Sequence, residues 1–230
     1  MSETWDFWRD EARDPAMNMA LDDALLRAAP ERGRPLLRLY GWSAPAVSIG
    51  FFQRFSLDLA PGRPLVRRPT GGGLVDHARD TTYTVVVPAG HALWRVATVE
   101  SYRRIHEAVA AALRLVGWAA ELAACDGSAT TDACFDGPVK FDVVVAGRKV
   151  AGAAQRRLKR GLLHQGSILL PAARDTERPT ALDGELRRGF EMALGARFEA
   201  WRPGPELFDL ARRLCAEKYG AREWTERFRA

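Results

Sequence analysis

Between Phe141 and Leu170 the chain reads FDVVVAGRKVAGAAQRRLKRGLLHQGSILL, and this stretch restricts the possible folds more than any other. Phe141 to Val145 and Lys149 to Ala154 flank Ala146-Gly147 and read as a β-hairpin, with Leu162 to Leu170 as a third strand. Pairing across the turn sets Lys149 opposite Val144. Further upstream, TTYTVVV (Thr81 to Val87) is β-branched and aromatic and too short for a buried helix, so it predicts a central strand. Leu36 to Tyr40 and Ala46 to Gly50 predict shorter strands, divided by a turn over Gly41 to Pro45.

Helical spacing appears in three places. Pro15 to Arg27 carries Met17, Ala20, Leu21, Ala24 and Leu25 on one face, with Asp14 and Pro15 as cap and first turn. Val99, Tyr102, Ile105, Val109, Leu113 and Val116 recur every three or four residues, with Thr98 at the cap position and Gly117 just past the end. Leu207, Leu210, Leu214 and Cys215 mark a helix in the C-terminal region, which makes Cys215 a core residue. Strands in runs joined by hairpins, with helices set between them, imply an α+β fold with a largely antiparallel sheet. No repeat or Pro/Gly/Ser linker divides residues 1–230, so a single domain is expected, with C-terminal helices from about residue 180.

Three cysteines, Cys125, Cys134 and Cys215, offer no CxxC pair, which argues against a disulfide framework or a zinc site and for a reducing compartment. The N-terminus is acidic and lacks an apolar signal segment, and no apolar run approaches a membrane span, so a cytoplasmic protein is expected. The net charge of +5 is spread along the chain as arginine. That is the pattern of a solvated surface, and pI alone does not make a nucleic-acid binder. One local cluster, Arg156, Arg157, Lys159 and Arg160, could dock an acidic partner.

Two segments carry candidate chemistry. Residues from about 121 to 138 lack any period and hold Cys125 and Cys134; a loop of that length is commonly a lid or binding segment. Two readings of Cys134 stand: a small packed side chain, or a nucleophile activated by a nearby cation such as Lys149. Ten residues separate Cys134 from Val144, and extended they would span ~33 Å at ~3.3 Å per residue, so the loop must fold back for thiol and amine to meet. The second segment is RRPTGGGLVDH, Arg67 to His77. Its three glycines can cradle a ligand or simply turn the chain, and Arg67 and Arg68 bring cations to it. His77 and His164 are each either a hydrogen-bonded structural residue or part of a site.

Taken together, NMALDDALL (Asn18 to Leu26), RRPTGGGLVDH, GRKVAGAAQRR (Gly147 to Arg157) and HQGSILL (His164 to Leu170) resemble the lipoate-protein ligase and octanoyltransferase superfamily, whose catalytic fold is shared with biotin-protein ligases. The resemblance implies a mixed, mostly antiparallel sheet flanked by helices. Within it, ACFDGP followed by a strand and GRKVAG is similar to the LipM-type octanoyltransferase branch. ATP-using ligases of the superfamily carry an Asn-Asp pair where this chain has Phe141-Asp142.

The resemblance implies Cys134 as nucleophile and Lys149 as the cation that orients the thioester and stabilises the oxyanion. Arg68, Gly71, Gly72, Gly73, His77, Gly152 and His164 would bind substrate. Where the superfamily shows His-Gly, this chain has His164-Gln165-Gly166, which shifts His164 toward the opposite face of its strand. The implied partners are octanoyl-acyl carrier protein as donor and a lipoyl carrier such as the glycine cleavage H protein as acceptor, with no nucleic acid and no membrane. No cofactor is expected; ATP and magnesium belong to the alternative of an acyl-adenylate ligase. A non-catalytic carrier-binding subunit is a further alternative.

Overall fold

In a computed structural model, residues 2–124, 138–170 and 182–228 are described. Cys125 and Cys134 lie outside them. The strands are β1 (Glu3–Arg13), β2 (Leu36–Trp42), β3 (Val47–Ile49), β4 (Leu65–Arg67), β5 (Val75–Asp76), β6 (Thr81–Pro88), β7 (Ala120–Leu122), β8 (Val143–Val145), β9 (Arg148–Leu158), β10 (Gly161–Ile168) and β11 (Ala196–Ala200). Eight of these form one sheet in the order β11-β1-β2-β6-β10-β9-β8-β7, and β4-β3-β5 form a small second sheet. In the large sheet β1 runs parallel to β2 and β11, and every other pairing is antiparallel. The fold is therefore α+β with a mixed, mostly antiparallel sheet flanked by helices.

The hairpin forms where the sequence sets it. Ala146 and Gly147 take φ of 48° and 75°, the left-handed pair that a two-residue turn needs, and Val144 pairs with Lys149. The TTYTVVV strand, β6, lies inside the sheet between β2 and β10. Helix α1 (Pro15–Arg27) starts where Asp14 accepts the Ala16 N–H, satisfying one of the donors a helix start leaves open, and two one-turn helices, α2 (Ala29–Arg32) and α3 (Ala92–Arg95), follow it along the chain.

Two apolar layers sandwich the sheet. On one face α4 (Thr98–Leu115) and α5 (Leu182–Leu194) pack Ile105, Val109, Leu186 and Phe190 against Tyr83, Val85 and Leu162. On the other, α1 and α6 (Pro205–Leu214) pack Leu21, Leu25 and Leu214 against Leu36, Tyr40 and Val86. Alternation along β6 sends Tyr83, Val85 and Val87 to the first layer and Val86 to the second.

The second layer also holds charge. Arg38 is fully buried, with Nη2 at 2.7 Å from Asp10 Oδ2 and Nη1 at 2.6 Å from Asp22 Oδ1, and it donates to Asn18 as well. The polar residues of NMALDDALL thus serve the fold. Cys215 sits half-buried at the end of α6 rather than fully in the core.

Candidate active site

The site forms on the α1 side of the sheet, where β9 and β10 meet the glycine-rich loop after β4. That loop is held from three directions. Arg68, itself buried, donates from Nη2 to the carbonyls of Gly71 (3.0 Å) and Gly73 (2.8 Å), and from Nη1 to the Ser48 carbonyl and Oγ. Thr70 Oγ1 donates to Gln165 Oε1 at 2.7 Å, and Gln165 Nε2 donates to Asp22 Oδ2 at 2.7 Å. The loop is therefore connected through Gln165 to the buried Arg38 pair. From outside, Gly50 presses on Gly72: a Cβ there would stand 1.7 Å from the Gly72 carbonyl oxygen. Only a residue without a side chain allows this approach.

Beside the loop, His77 is clamped on both ring nitrogens. Nδ1 lies 2.8 Å from Asp80 Oδ2 and Nε2 lies 2.6 Å from Ser48 Oγ, while the ring stacks on Trp42 with centroids 4.0 Å apart. Asp80 Oδ2 also accepts from Thr82 and Ser167 hydroxyls. An acceptor this loaded fixes the ring by its Nδ1–H, and Nε2 then accepts a hydrogen bond from the Ser48 hydroxyl, since Arg68 already donates to that oxygen.

Lys149 reaches the cavity from β9. Its Nζ lies 2.8 Å from Asp142 Oδ2, and both groups are buried. Tyr102, on α4, donates its hydroxyl to the other carboxylate oxygen at 2.5 Å and accepts from the Ala153 N–H at 3.1 Å. Burial first, and then the Asp142 charge, hold the Tyr102 phenol well above its ordinary pKa, so it stays a donor. Gly152 explains itself at this point: a Cβ there would come within 2.5 Å of Lys149 Cε and 2.8 Å of Nζ.

Arg68, His77, Lys149 and Gly152 line one cavity, together with Met19, Tyr40, Trp42, Val75, Thr82, Gln165 and Ser167. Gly71, Gly72 and Gly73, expected to bind substrate, are not among its lining residues: Arg68 holds the carbonyls of Gly71 and Gly73, and Gly72 is the glycine pressed by Gly50. The lining combines the apolar and aromatic surfaces of Met19, Tyr40, Trp42 and Val75 with the polar groups of Arg68, His77, Thr82, Lys149, Gln165 and Ser167, which suits a ligand with an apolar chain and a polar end. His164 is a correction to the expected set. On β10 the side chains alternate, so Gln165 and Ser167 face the cavity while His164 faces α4, bonded to Tyr83 OH (3.2 Å) and Gln155 (2.9 Å).

The basic cluster of β9 divides in the same manner. Arg156 donates to the Pro69 carbonyl on the cavity side, Arg157 donates to the Leu93 and Trp94 carbonyls on the α4 side, and Lys159 and Arg160 are exposed at the turn. Sequence reasoning did not single out Tyr102, Ser48 or Gln165. Tyr102 falls in the apolar stripe of α4, and nothing in its spacing marks it as a partner of Asp142.

A mixed sheet, a glycine loop tied beneath an arginine, and a lysine entering beside them come together around one cavity. Residues 14–177 match the lipoyl protein ligase A/B catalytic domain family, and the chain belongs to that family. It is 36% identical to octanoyltransferase LipM of Kyrpidia tusciae, over 98% of this chain and 99% of that protein. Identity to octanoyltransferase LipM of Bacillus subtilis is 32%, over 96% and 98%. A crystal structure of lipoate-protein ligase A bound with ATP superposes with a TM-score of 0.81 at 25% identity, covering 99% of this chain and 100% of that one.

Proposed function

We propose that this chain is an octanoyltransferase, an acyltransferase that works through a thioester on Cys134. The carrying observation is that Arg68, His77, Lys149 and Gly152 surround one cavity in a chain 36% identical to an octanoyltransferase along nearly all of both lengths. The donor would be octanoyl-acyl carrier protein and the acceptor a lysine of a lipoyl carrier domain such as the glycine cleavage H protein. Among the described residues no helix is long and apolar enough to cross a membrane, which accords with a cytoplasmic enzyme.

The reaction balances without a nucleotide. The Cys134 thiolate adds to the donor thioester carbonyl, and collapse expels the donor thiolate, which takes up the proton the cysteine gave up. The neutral acceptor amine then adds to the cysteinyl thioester and expels the Cys134 thiolate, which takes up the proton the amine loses. The first step exchanges one thioester for another; the second forms an amide and runs downhill. Lys149, fixed by Asp142, would supply charge to the oxyanion formed in both steps. In this reading neither metal nor cofactor takes part. Incubation with octanoyl-acyl carrier protein should add one octanoyl group that maps to Cys134, and Cys134→Ser should abolish transfer. Normal turnover by that variant defeats the assignment.

The likeness to an ATP-bound ligase keeps a second reading open, an acyl-adenylate route from free lipoate or octanoate. Pyrophosphate release with free acid, ATP and magnesium would favour it.

A further inference from the structure

Beside the glycine loop lies a surface that the cavity chemistry leaves unused. Phe51, Phe52 and Phe228 form a contiguous aromatic cluster, with ring centroids 4.7 Å (Phe51 to Phe52), 6.0 Å (Phe51 to Phe228) and 6.3 Å (Phe52 to Phe228) apart. Phe52 is 76% exposed and Phe228 43%. Guanidinium groups sit against them: Arg227 lies 4.8 Å from the Phe51 ring and 5.0 Å from the Phe228 ring, and Arg156 lies 5.6 Å from Phe51. Among the described residues neither Arg156 nor Arg227 has a carboxylate within salt-bridge distance. Beneath them the buried Arg67 donates to the carbonyls of Gly50, Phe51, Gln53, Thr225 and Arg227, and burial together with Arg227 pushes its pKa down to about 10. An apolar patch flanked by cations that pair with no carboxylate among the described residues suits an anionic partner.

The patch is joined to the cavity by backbone. Phe51 N–H donates to the Thr70 carbonyl at 2.8 Å, and Arg156 donates to the Pro69 carbonyl at 3.2 Å, so both hold the segment that leads into the glycine loop. Two residues along β9 from Arg156, on the same face, Ala154 lines the cavity. A protein seated on the patch can therefore deliver a tethered group to the cavity.

The two carriers of the proposed reaction differ in the charge of that tether. An acyl donor carried on a phosphopantetheine arm brings a phosphodiester anion, whereas the acceptor brings a lysine ammonium. We infer that Phe51, Phe52, Phe228, Arg156 and Arg227 form the docking surface for the acyl donor, an acidic carrier protein with an anionic arm. The inference rests on the octanoyl-transfer reading.

Phe52→Ser removes an exposed ring and Arg227→Glu reverses a half-buried cation, and the two variants test it by two measurements. In a titration of octanoyl-acyl carrier protein against the protein, each variant should weaken binding about tenfold, and wild-type binding should fall as salt rises. In turnover, KM for the carrier donor should rise by a similar factor, while KM for the acceptor domain and the rate with octanoyl-N-acetylcysteamine, which has neither protein nor phosphate, should stay at wild-type values. Unchanged carrier binding in both variants, with melting temperatures kept, overturns the docking surface; so does a rise in KM for the acceptor alone. Absence of turnover in the wild-type protein with intact carrier binding would instead count against the transfer reading and leave the surface standing.

Discussion

Lys149 and Asp142 form a buried ion pair of 2.8 Å that spans the entry to one strand and the start of the next, with the Tyr102 hydroxyl closing on the far carboxylate oxygen at 2.5 Å. Asp142 Oδ2 also accepts the Val139 N–H at 2.9 Å, so the carboxylate is fixed before the lysine reaches it. An ammonium held this way cannot swing among its rotamers, and its charge stays aimed at one point of the cavity.

Asp142→Asn should therefore lower kcat by about 10- to 100-fold with little change in KM for the carrier substrates, because the charge would be misplaced while the cavity stays open. Tyr102→Phe, which leaves the carboxylate but frees one oxygen, should have a smaller effect of the same kind. Steady-state kinetics on variants of unchanged melting temperature check this, and wild-type kcat in Asp142→Asn would refute it.

Gly152→Ala tests the same geometry from the other side. The added methyl would lie 2.5 Å from Lys149 Cε, a distance no pair of carbons accepts, and the lysine must leave its place beside Asp142. The expected result is a kcat loss comparable to that of Asp142→Asn, with secondary structure retained by circular dichroism. Full activity in Gly152→Ala would mean that the lysine position is not needed.

Much of this frame was legible in local sequence. The hairpin at Ala146-Gly147, the cap at Asp14 and the long α4 stripe are each set by a few neighbouring residues and form where expected, although the α4 cap is Ala97, with no side-chain hydrogen bond, and Thr98 is the first helical residue. Strand β1 was not legible, because its buried positions include Asp6 and Asp10. Charges in ETWDFWRDEAR suggest a solvated segment until Arg32 and Arg38, distant in sequence, come to neutralise them. The site divides along the same line. RRPTGGGLVDH and GRKVAG announce the glycine loop and the lysine, but Tyr102 to Asp142 and Thr70 to Gln165 are side-chain pairs between remote elements, which only packing creates. For His164 the period of two decides: one residue along β10 separates the cavity face from the α4 face.

Arg38 illustrates how much stability such a pair can control. With the guanidinium gone, Asp22 would remain in the interior with only neutral donors, Tyr40, Thr84 and Gln165, while Asp10 would keep Arg13 at 2.8 Å. Arg38→Met should cost about 3–5 kcal/mol, since breaking a buried pair leaves an uncompensated charge. Adding Asp22→Asn should recover part of that loss. Denaturant unfolding of the single and double variants measures both, and strictly additive losses would show that the two residues do not act as a unit.

Acid stability should be governed first by two histidines that never reach the cavity. His106 is fully buried on α4, with Nδ1 2.7 Å from the Phe141 carbonyl, and burial lowers its pKa from 6.5 to about 4; burial and the neighbouring His106 hold His164 well below the ordinary value. Both rings are thus neutral in the fold but take up protons in the unfolded chain below pH ~6.5. Their contribution is complete above that pH and is lost as pH falls toward 4, for His106 alone by about 2 kcal/mol at pH 5. The depressed carboxylates act lower: at Asp23, burial is outweighed by Lys218 and Arg27, so its contribution is lost only below pH 3.8. Asp6, raised by burial, works in the opposite direction as acid is added. Urea unfolding at pH 7 and pH 5 should therefore show a clear fall in stability that shrinks in His106→Asn, and equal stability of the wild-type protein at the two pH values would contradict the neutral buried pair.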